Sequence, residues 1–91
     1  MESGIRFRIS SHAEWEMRRR GIEFARVEAV MNGPEQRLPD ETRADRRIYQ
    51  SRVEFDGKLY LLRLVVADGE EPPVVVTVYR TSKIEKYWSP Q

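Results

Sequence analysis

The sequence predicts an α+β domain with two N-terminal helices packed on one face of an antiparallel sheet and a short helix closing the chain. Two patterns predict it. Helical periodicity with clear stops fills residues 11 to 33, and alternating or β-branched runs separated by turn signals fill residues 47 to 79. Helices that precede a run of antiparallel strands settle on one side of their sheet. A third observation bounds the size. A chain of 91 residues, 40% hydrophobic and 10% aromatic, makes a single domain over residues 1–91 with one core.

Residues 5 to 9, IRFRI, alternate apolar and basic, which reads as a short half-buried strand. Ser11-His12-Ala13-Glu14 reads as a capping box with Ser11 as N-cap, which puts His12 at the first helical position. The first helix runs from about His12 to Arg20 and stops at Gly21. Ala13 and Met17 face the core. His12, Glu16 and Arg20 recur at i, i+4 and i+8 along the border of that stripe. The second helix spans about Glu23 to Asn32, with Phe24, Val27, Val30 and Met31 as its buried stripe, and Gly33-Pro34 ends it.

The polar segment from Glu35 to Asp45 holds Pro39 and reads as loop, with one short edge strand as the alternative. Three strands follow. Arg47 to Phe55 places Tyr49, Val53 and Phe55 on one face, and Asp56-Gly57 is a strong two-residue hairpin signal. Lys58 to Ala67 is apolar on both faces except at Arg63, as befits a central strand. Asp68 to Pro73 make a longer turn. Val74 to Tyr79 is the most β-branched run and is also expected to be central. Thr81 or Ser82 can cap a last helix through Lys86, Tyr87 and Trp88.

Composition removes several classes of function. Without cysteine there is no disulfide framework, zinc-thiolate site or cysteine nucleophile. There is no apolar run of about 20 residues to span a membrane and no signal-peptide pattern, so the expectation is a soluble cytoplasmic protein. A Gly-rich phosphate loop and a Ser-His-Asp order are also absent. No cofactor and no metal are expected.

The net charge is only +1, but 13 of the 16 basic residues are arginine. Arginine grips phosphate with two donors where lysine acts as a point charge. The basic residues cluster as Arg18, Arg19, Arg20; Arg43, Arg46, Arg47; and Arg80, Lys83, Lys86. The plain alternative is an exposed mixed-charge surface.

Three positions carry chemistry against their local background. Arg63 interrupts LYLLRLVV, where a charge is costly unless paired or solvated at a site; the plain alternative is a salt bridge to a neighbouring carboxylate. Thr77 interrupts a valine run and shares a strand face with Tyr79; ordinary β-propensity also explains a threonine there. His12 is the only histidine. A helix N-terminus disfavours imidazolium, which leaves a neutral base available, and the same helix end can attract an anion. A histidine that merely tolerates a cap position is the alternative.

Together His12, Arg20, Arg63, Thr77 and Tyr79 contain the parts for RNA cleavage without metal. A base takes the ribose 2′-hydroxyl proton, guanidinium groups hold the phosphate, and hydroxyls orient it or relay protons. In TSKIEKYW, basic and aromatic residues interleave at helical spacing and can grip phosphate and stack a base. Ile84 and Trp88 read better as residues that dock the last helix on the sheet.

The run H-A-E-W-E-M-R-R-R-G-I, a helix ending N-G-P and a meander ending V-V-V-T-V-Y resemble a family of small bacterial domains of unknown function. Its hallmark is HAxxRMxxRGI early and TVY late, and it is similar to the BrnT and RelE-type toxins of toxin–antitoxin systems. The resemblance covers roughly Phe7 to Tyr79. It implies a RelE/barnase-like fold, with helices on a curved antiparallel sheet whose open face binds RNA. It also implies ribonuclease or translation-inhibiting activity and a cognate antitoxin. Carried over by residue, the hallmark supplies His12 and Arg20, the strand arginine is Arg63, and the late motif supplies Thr77 and Tyr79. Arg19, Arg80, Lys83 and Lys86 are added as RNA contacts. One position departs: Glu16 stands where the family pattern has arginine. A carboxylate there would repel phosphate or pair with Arg19 or Arg20.

The expectation is therefore a toxin-like, metal-independent endoribonuclease that cleaves mRNA or inhibits translation; the alternative is a non-catalytic RNA- or antitoxin-binding module of the same fold.

Overall fold

The computed structural model of the chain describes residues 4–90; the ends of the expected domain, residues 1–3 and 91, lie outside the described residues. The elements in chain order are β1 (Arg8–Ile9), α1 (Ser11–Arg20), α2 (Phe24–Asn32), β2 (Gln36–Pro39), β3 (Arg47–Phe55), β4 (Lys58–Ala67), β5 (Val74–Thr81) and α3 (Ile84–Tyr87). The strands form one sheet in the order β1-β5-β4-β3-β2. β2 to β5 pair antiparallel, whereas β1 lies parallel to β5, with Arg8 opposite Val74 and Ile9 opposite Val75. The sheet is thus mixed rather than wholly antiparallel, because the chain returns to β1 only after the helices and the meander.

Helix α1 begins one residue earlier than its sequence suggests. Ser10, not Ser11, is the N-cap: its backbone is extended and its hydroxyl accepts the Ala13 N–H at 3.0 Å. The Ser10 N–H still bonds Val75 O at 2.9 Å, so the chain leaves the sheet at that residue. The Ser10 hydroxyl also donates to Val76 O at 3.3 Å. His12 consequently occupies the second helical position, not the first.

The helix stops as expected. Gly21 has φ 65°, which a side chain would strain, and the Ile22 N–H reaches back to Met17 O at 2.9 Å. Ile22 and Met17 are both buried in the core, the apolar contact that accompanies this type of stop.

On α2, Val27, Val30 and Met31 are buried, but Phe24 is 52% exposed. Phe24 lies in the first turn and stacks on Phe7 instead, with ring centroids 5.9 Å apart. The edge strand offered as an alternative for residues 35–45 is real and short: β2 adds to β3 with Gln36 opposite Gln50. Asp56 and Gly57 both have positive φ, 52° and 81°, and join β3 to β4 as a two-residue hairpin.

The core lies between the helices and one face of the sheet. Ala13, Met17, Ile22, Val27, Val30 and Met31 meet Tyr49, Phe55, Leu62, Leu64, Val66, Val75 and Val78 there. Val75 and Val78 are three apart yet share this face, because β5 carries an extra residue. Thr77 pairs with Val65 and Val75 with Val66, which leaves Val76 as a bulge. β4 is buried on both faces over residues 61–64, whereas Leu59 near its start is 51% exposed, so the apolar run is central only in its middle. No helix among the described residues is long and apolar enough to cross a membrane.

Replacing Ser10 by alanine is expected to cost about 1 kcal/mol, whereas Ser11→Ala stays within about 0.5 kcal/mol. Urea unfolding of the two variants beside the parent chain measures the difference.

Candidate functional site

The face of the sheet opposite the core carries a row of polar side chains. Gln36, Gln50, Arg63 and Tyr79 are direct cross-strand neighbours on β2, β3, β4 and β5. Arg63 donates from Nε to Gln50 Oε1 at 2.8 Å and from Nη1 to the Tyr79 hydroxyl. Gln50 donates from Nε2 to Gln36 Oε1 at 2.7 Å. The sequence marked Arg63 and Tyr79 but not the two glutamines, whose role follows from register alone.

Arg63 is buried, yet no carboxylate lies within 4.0 Å of it among the described residues. The salt bridge considered as the plain alternative for this residue is therefore not formed. Neutral acceptors hold the guanidinium in place without cancelling its charge. A buried charge without a counter-charge is costly, and such a cost is commonly met at binding sites. Two of the five N–H donors are used within the row, and the residue lines a cleft of about 700 Å3. Lys86, Tyr87, Trp88 and Thr42 line the same cleft, as do Asp40 and Glu41.

The C-terminal segment folds over part of this face. The Tyr87 ring centre lies 4.3 Å from the Arg63 guanidinium, and Gln50 Nε2 donates to Tyr87 O at 3.2 Å. Gln36 exchanges two hydrogen bonds with the Ser89 backbone, at 2.7 and 3.1 Å. Trp88 sits 4.4 Å from the Arg52 guanidinium. Arg52 in turn forks onto Glu35 at 2.9 and 3.1 Å. The Arg52 side chain, and then its backbone N–H, hold the Glu35 carboxyl below the usual range. The last helix is a single turn and shorter than expected; Thr81 Oγ1 accepts the Lys83 N–H before it.

His12 and Arg20 belong to a second cluster, built on α1 around Glu16. The Glu16 carboxylate is buried and accepts the Val78 N–H of β5 at 2.9 Å through Oε1. Its Oε2 lies 3.4 Å from His12 Nε2 and 3.4 Å from Arg20 Nη1. Glu16 thus pairs with Arg20 and does not stand out in solvent to repel a phosphate. Arg19 lies over the Trp15 ring at 4.9 Å, and the His12 ring stacks on Trp15 at 6.0 Å. Trp15 is 48% exposed and was not singled out in the sequence.

The five residues expected to act together therefore divide. Arg63 and Tyr79 touch, on the face opposite the core. His12 and Arg20 meet through Glu16 on α1, which packs against the core side of β5. Thr77 is half-buried on the Tyr79 face, opposite Val65. No hydrogen bond or ion pair among the described residues joins His12 to Arg63, Thr77 or Tyr79.

Of the further RNA contacts expected, Lys86 lines the Arg63 cleft and Lys83 is exposed just before α3. Arg80 faces the core side and lies over Phe55. No group of three or more potential metal ligands is placed together among the described residues.

A family model described as a domain of unknown function, DUF4258, matches residues 9–80. No curated protein and no solved structure matches the chain.

Two outcomes test this description. Gln50→Ala removes the acceptor for a buried Arg63 donor and is expected to cost about 1–3 kcal/mol in urea unfolding. For Glu35 the folded carboxyl titrates below its unfolded value. Its stabilising contribution is present above the unfolded value and is lost as pH falls through the folded one. Arg52→Ala is expected to move Glu35 up toward the ordinary range in an NMR titration, but not fully, because the backbone N–H of residue 52 still donates to its carboxylate.

Proposed function

The chain belongs to the DUF4258 family, described as a domain of unknown function, and on this geometry we propose that it is a toxin-like domain that binds RNA. The finer fold kinship, to RelE/barnase-like and BrnT-type toxins, is part of this reading. The observation that carries it is Arg63, a buried guanidinium that lacks a carboxylate partner among the described residues and lines an open cleft. Such a group favours an anion, and the aromatic and basic neighbours Tyr87, Trp88 and Lys86 suit a nucleic-acid strand. A cognate antitoxin protein is the partner that this reading brings with it.

A second reading is turnover as a metal-independent endoribonuclease. The His12–Glu16 pair favours it, because a base held by a carboxylate is a recurring catalytic arrangement. His12 would take the proton of a ribose 2′-hydroxyl. That oxygen would attack the adjacent phosphorus, the bond from phosphorus to the 5′-oxygen would break, and the protonated His12 would return its proton to that oxygen directly or through water, giving a 2′,3′-cyclic phosphate and a 5′-hydroxyl. Arg20 would offset charge on the phosphate. The separation of His12 from Arg63 and Tyr79 favours binding over this chemistry.

Fluorescence anisotropy with a single-stranded RNA, followed across salt concentrations, tests the first reading. Affinity is expected to fall steeply with salt, and Arg63→Ala is expected to weaken it by roughly tenfold or more. RNA affinity that ignores both salt and Arg63 would refute RNA binding at this cleft. The same incubations analysed for products decide the second reading. A cyclic-phosphate product that disappears in His12→Ala supports turnover, and intact RNA in the parent chain rules it out for that substrate.

A further inference from the structure

Beyond the Arg63 face, three arginines from three separate elements converge at the end of α1. Arg20 ends α1, Arg26 lies in the first turns of α2, and Arg80 lies near the end of β5. They line one cleft of about 280 Å3 together with Gly21, Glu23, Phe55 and Asp56.

The arrangement is built rather than a chance of long exposed side chains. The Arg26 and Arg80 guanidinium carbons each lie 4.4 Å from the centre of the buried Phe55 ring. They are therefore no more than about 9 Å apart, where two like charges repel. Arg80 also lies 4.8 Å from the Tyr60 ring, which meets Phe55 edge to face. Arg26 Nη1 is anchored on Glu54 O at 2.8 Å. These contacts hold the two guanidinium groups over the rings, and among the described residues Arg26 Nη1 alone of their donors makes a hydrogen bond.

Three guanidinium groups share the cleft with two carboxylates, and Glu16 pairs with Arg20 from beside it. Glu23 and Asp56 line it, yet neither lies within 4.0 Å of any of the three guanidinium groups among the described residues. Arg20 alone has an ion partner, Glu16, and its Nη1 is buried without a hydrogen-bond acceptor. A tetrahedral oxyanion suits what is missing. It offers several acceptor oxygens to planar donors that approach from different elements, and its charge offsets their repulsion.

We propose that the cleft formed by Arg20, Arg26 and Arg80 over Phe55 is a binding site for a phosphate group. The site lies on the core side of the sheet, and the inference stands independently of the reading of Arg63. A phosphate of an RNA strand and a free phosphate share the chemistry.

The test is an NMR titration of the arginine Nε–H signals of the full chain with inorganic phosphate, against sodium chloride at matched ionic strength. Saturable shifts of Arg20, Arg26 and Arg80 with phosphate only are expected. Arg26→Gln combined with Arg80→Gln is expected to weaken phosphate binding by at least about tenfold, while Arg63→Gln leaves it unchanged. Circular dichroism confirms that the variants are folded, and the single variant Arg80→Gln serves if the double variant is not. Signals that respond equally to phosphate and chloride overturn the site, as does binding that survives in the folded variant. A parallel titration with single-stranded RNA identifies the source. RNA affinity lost in the Arg26/Arg80 variant assigns the site to the strand, and RNA affinity kept while phosphate binding is lost assigns it to a free phosphate. Loss of RNA affinity in Arg63→Gln alone bears on the Arg63 cleft and not on this one.

Discussion

The carboxylate of Glu16 accepts the Val78 N–H of β5 and turns its second oxygen toward His12 and Arg20. β1 is only two residues long and pairs with β5 no further than Val75. Beyond that point the edge of β5 would present an unsatisfied buried N–H. Glu16 supplies the acceptor that a longer β1 would have supplied. One side chain thereby fastens α1 to the sheet, completes the strand edge and orders two basic groups on the helix. The Val76 bulge belongs to the same junction. It lets Val75 and Val78 face the core together, while the Ser10 hydroxyl joins the Val76 carbonyl to the first turn of α1.

The two sides of the sheet meet different physical demands. The helix side is filled with aliphatic and aromatic side chains and gains stability by removing apolar area from water. The other side spends buried space on Gln36, Gln50 and Arg63, where aliphatic residues would pack without any polar requirement. The glutamines satisfy the arginine's donors but leave its charge whole. This local conflict between stability and composition is what draws attention to that face as a site. The C-terminal residues complete the row from above, since the Tyr87 and Ser89 backbones bond to the same glutamines.

Much of the fold was legible because it rests on short-range chemistry. Gly21, the Asp56-Gly57 hairpin and the β-branched meander each declare themselves within a few residues. The errors have local causes too. Ser10 and Ser11 are adjacent and chemically alike, and only the Ser10–Val75 backbone bond decides which of them caps the helix. Phe24 has helical spacing for burial, but Phe7 provides its packing partner at the margin of the core. Arg63 stood out as a charge among aliphatic residues, whereas nothing beside Gln36 or Gln50 in the chain links either to it. Their kinship is a matter of which residues stand opposite one another across four strands.

By itself the sequence determined the α+β class, the order of most elements, the helix stop at Gly21 and the singular position of Arg63. Periodicity, turn chemistry and the cost of a lone charge act over a few residues and can be read along the chain. The tertiary structure decided the parallel placement of β1, the Val76 bulge, and the division of the expected site residues between two surfaces. It also decided that Glu16 is a buried acceptor and that Arg20, Arg26 and Arg80 share a cleft. Each of these depends on pairing register and on contacts between residues distant in sequence, which local pattern does not encode.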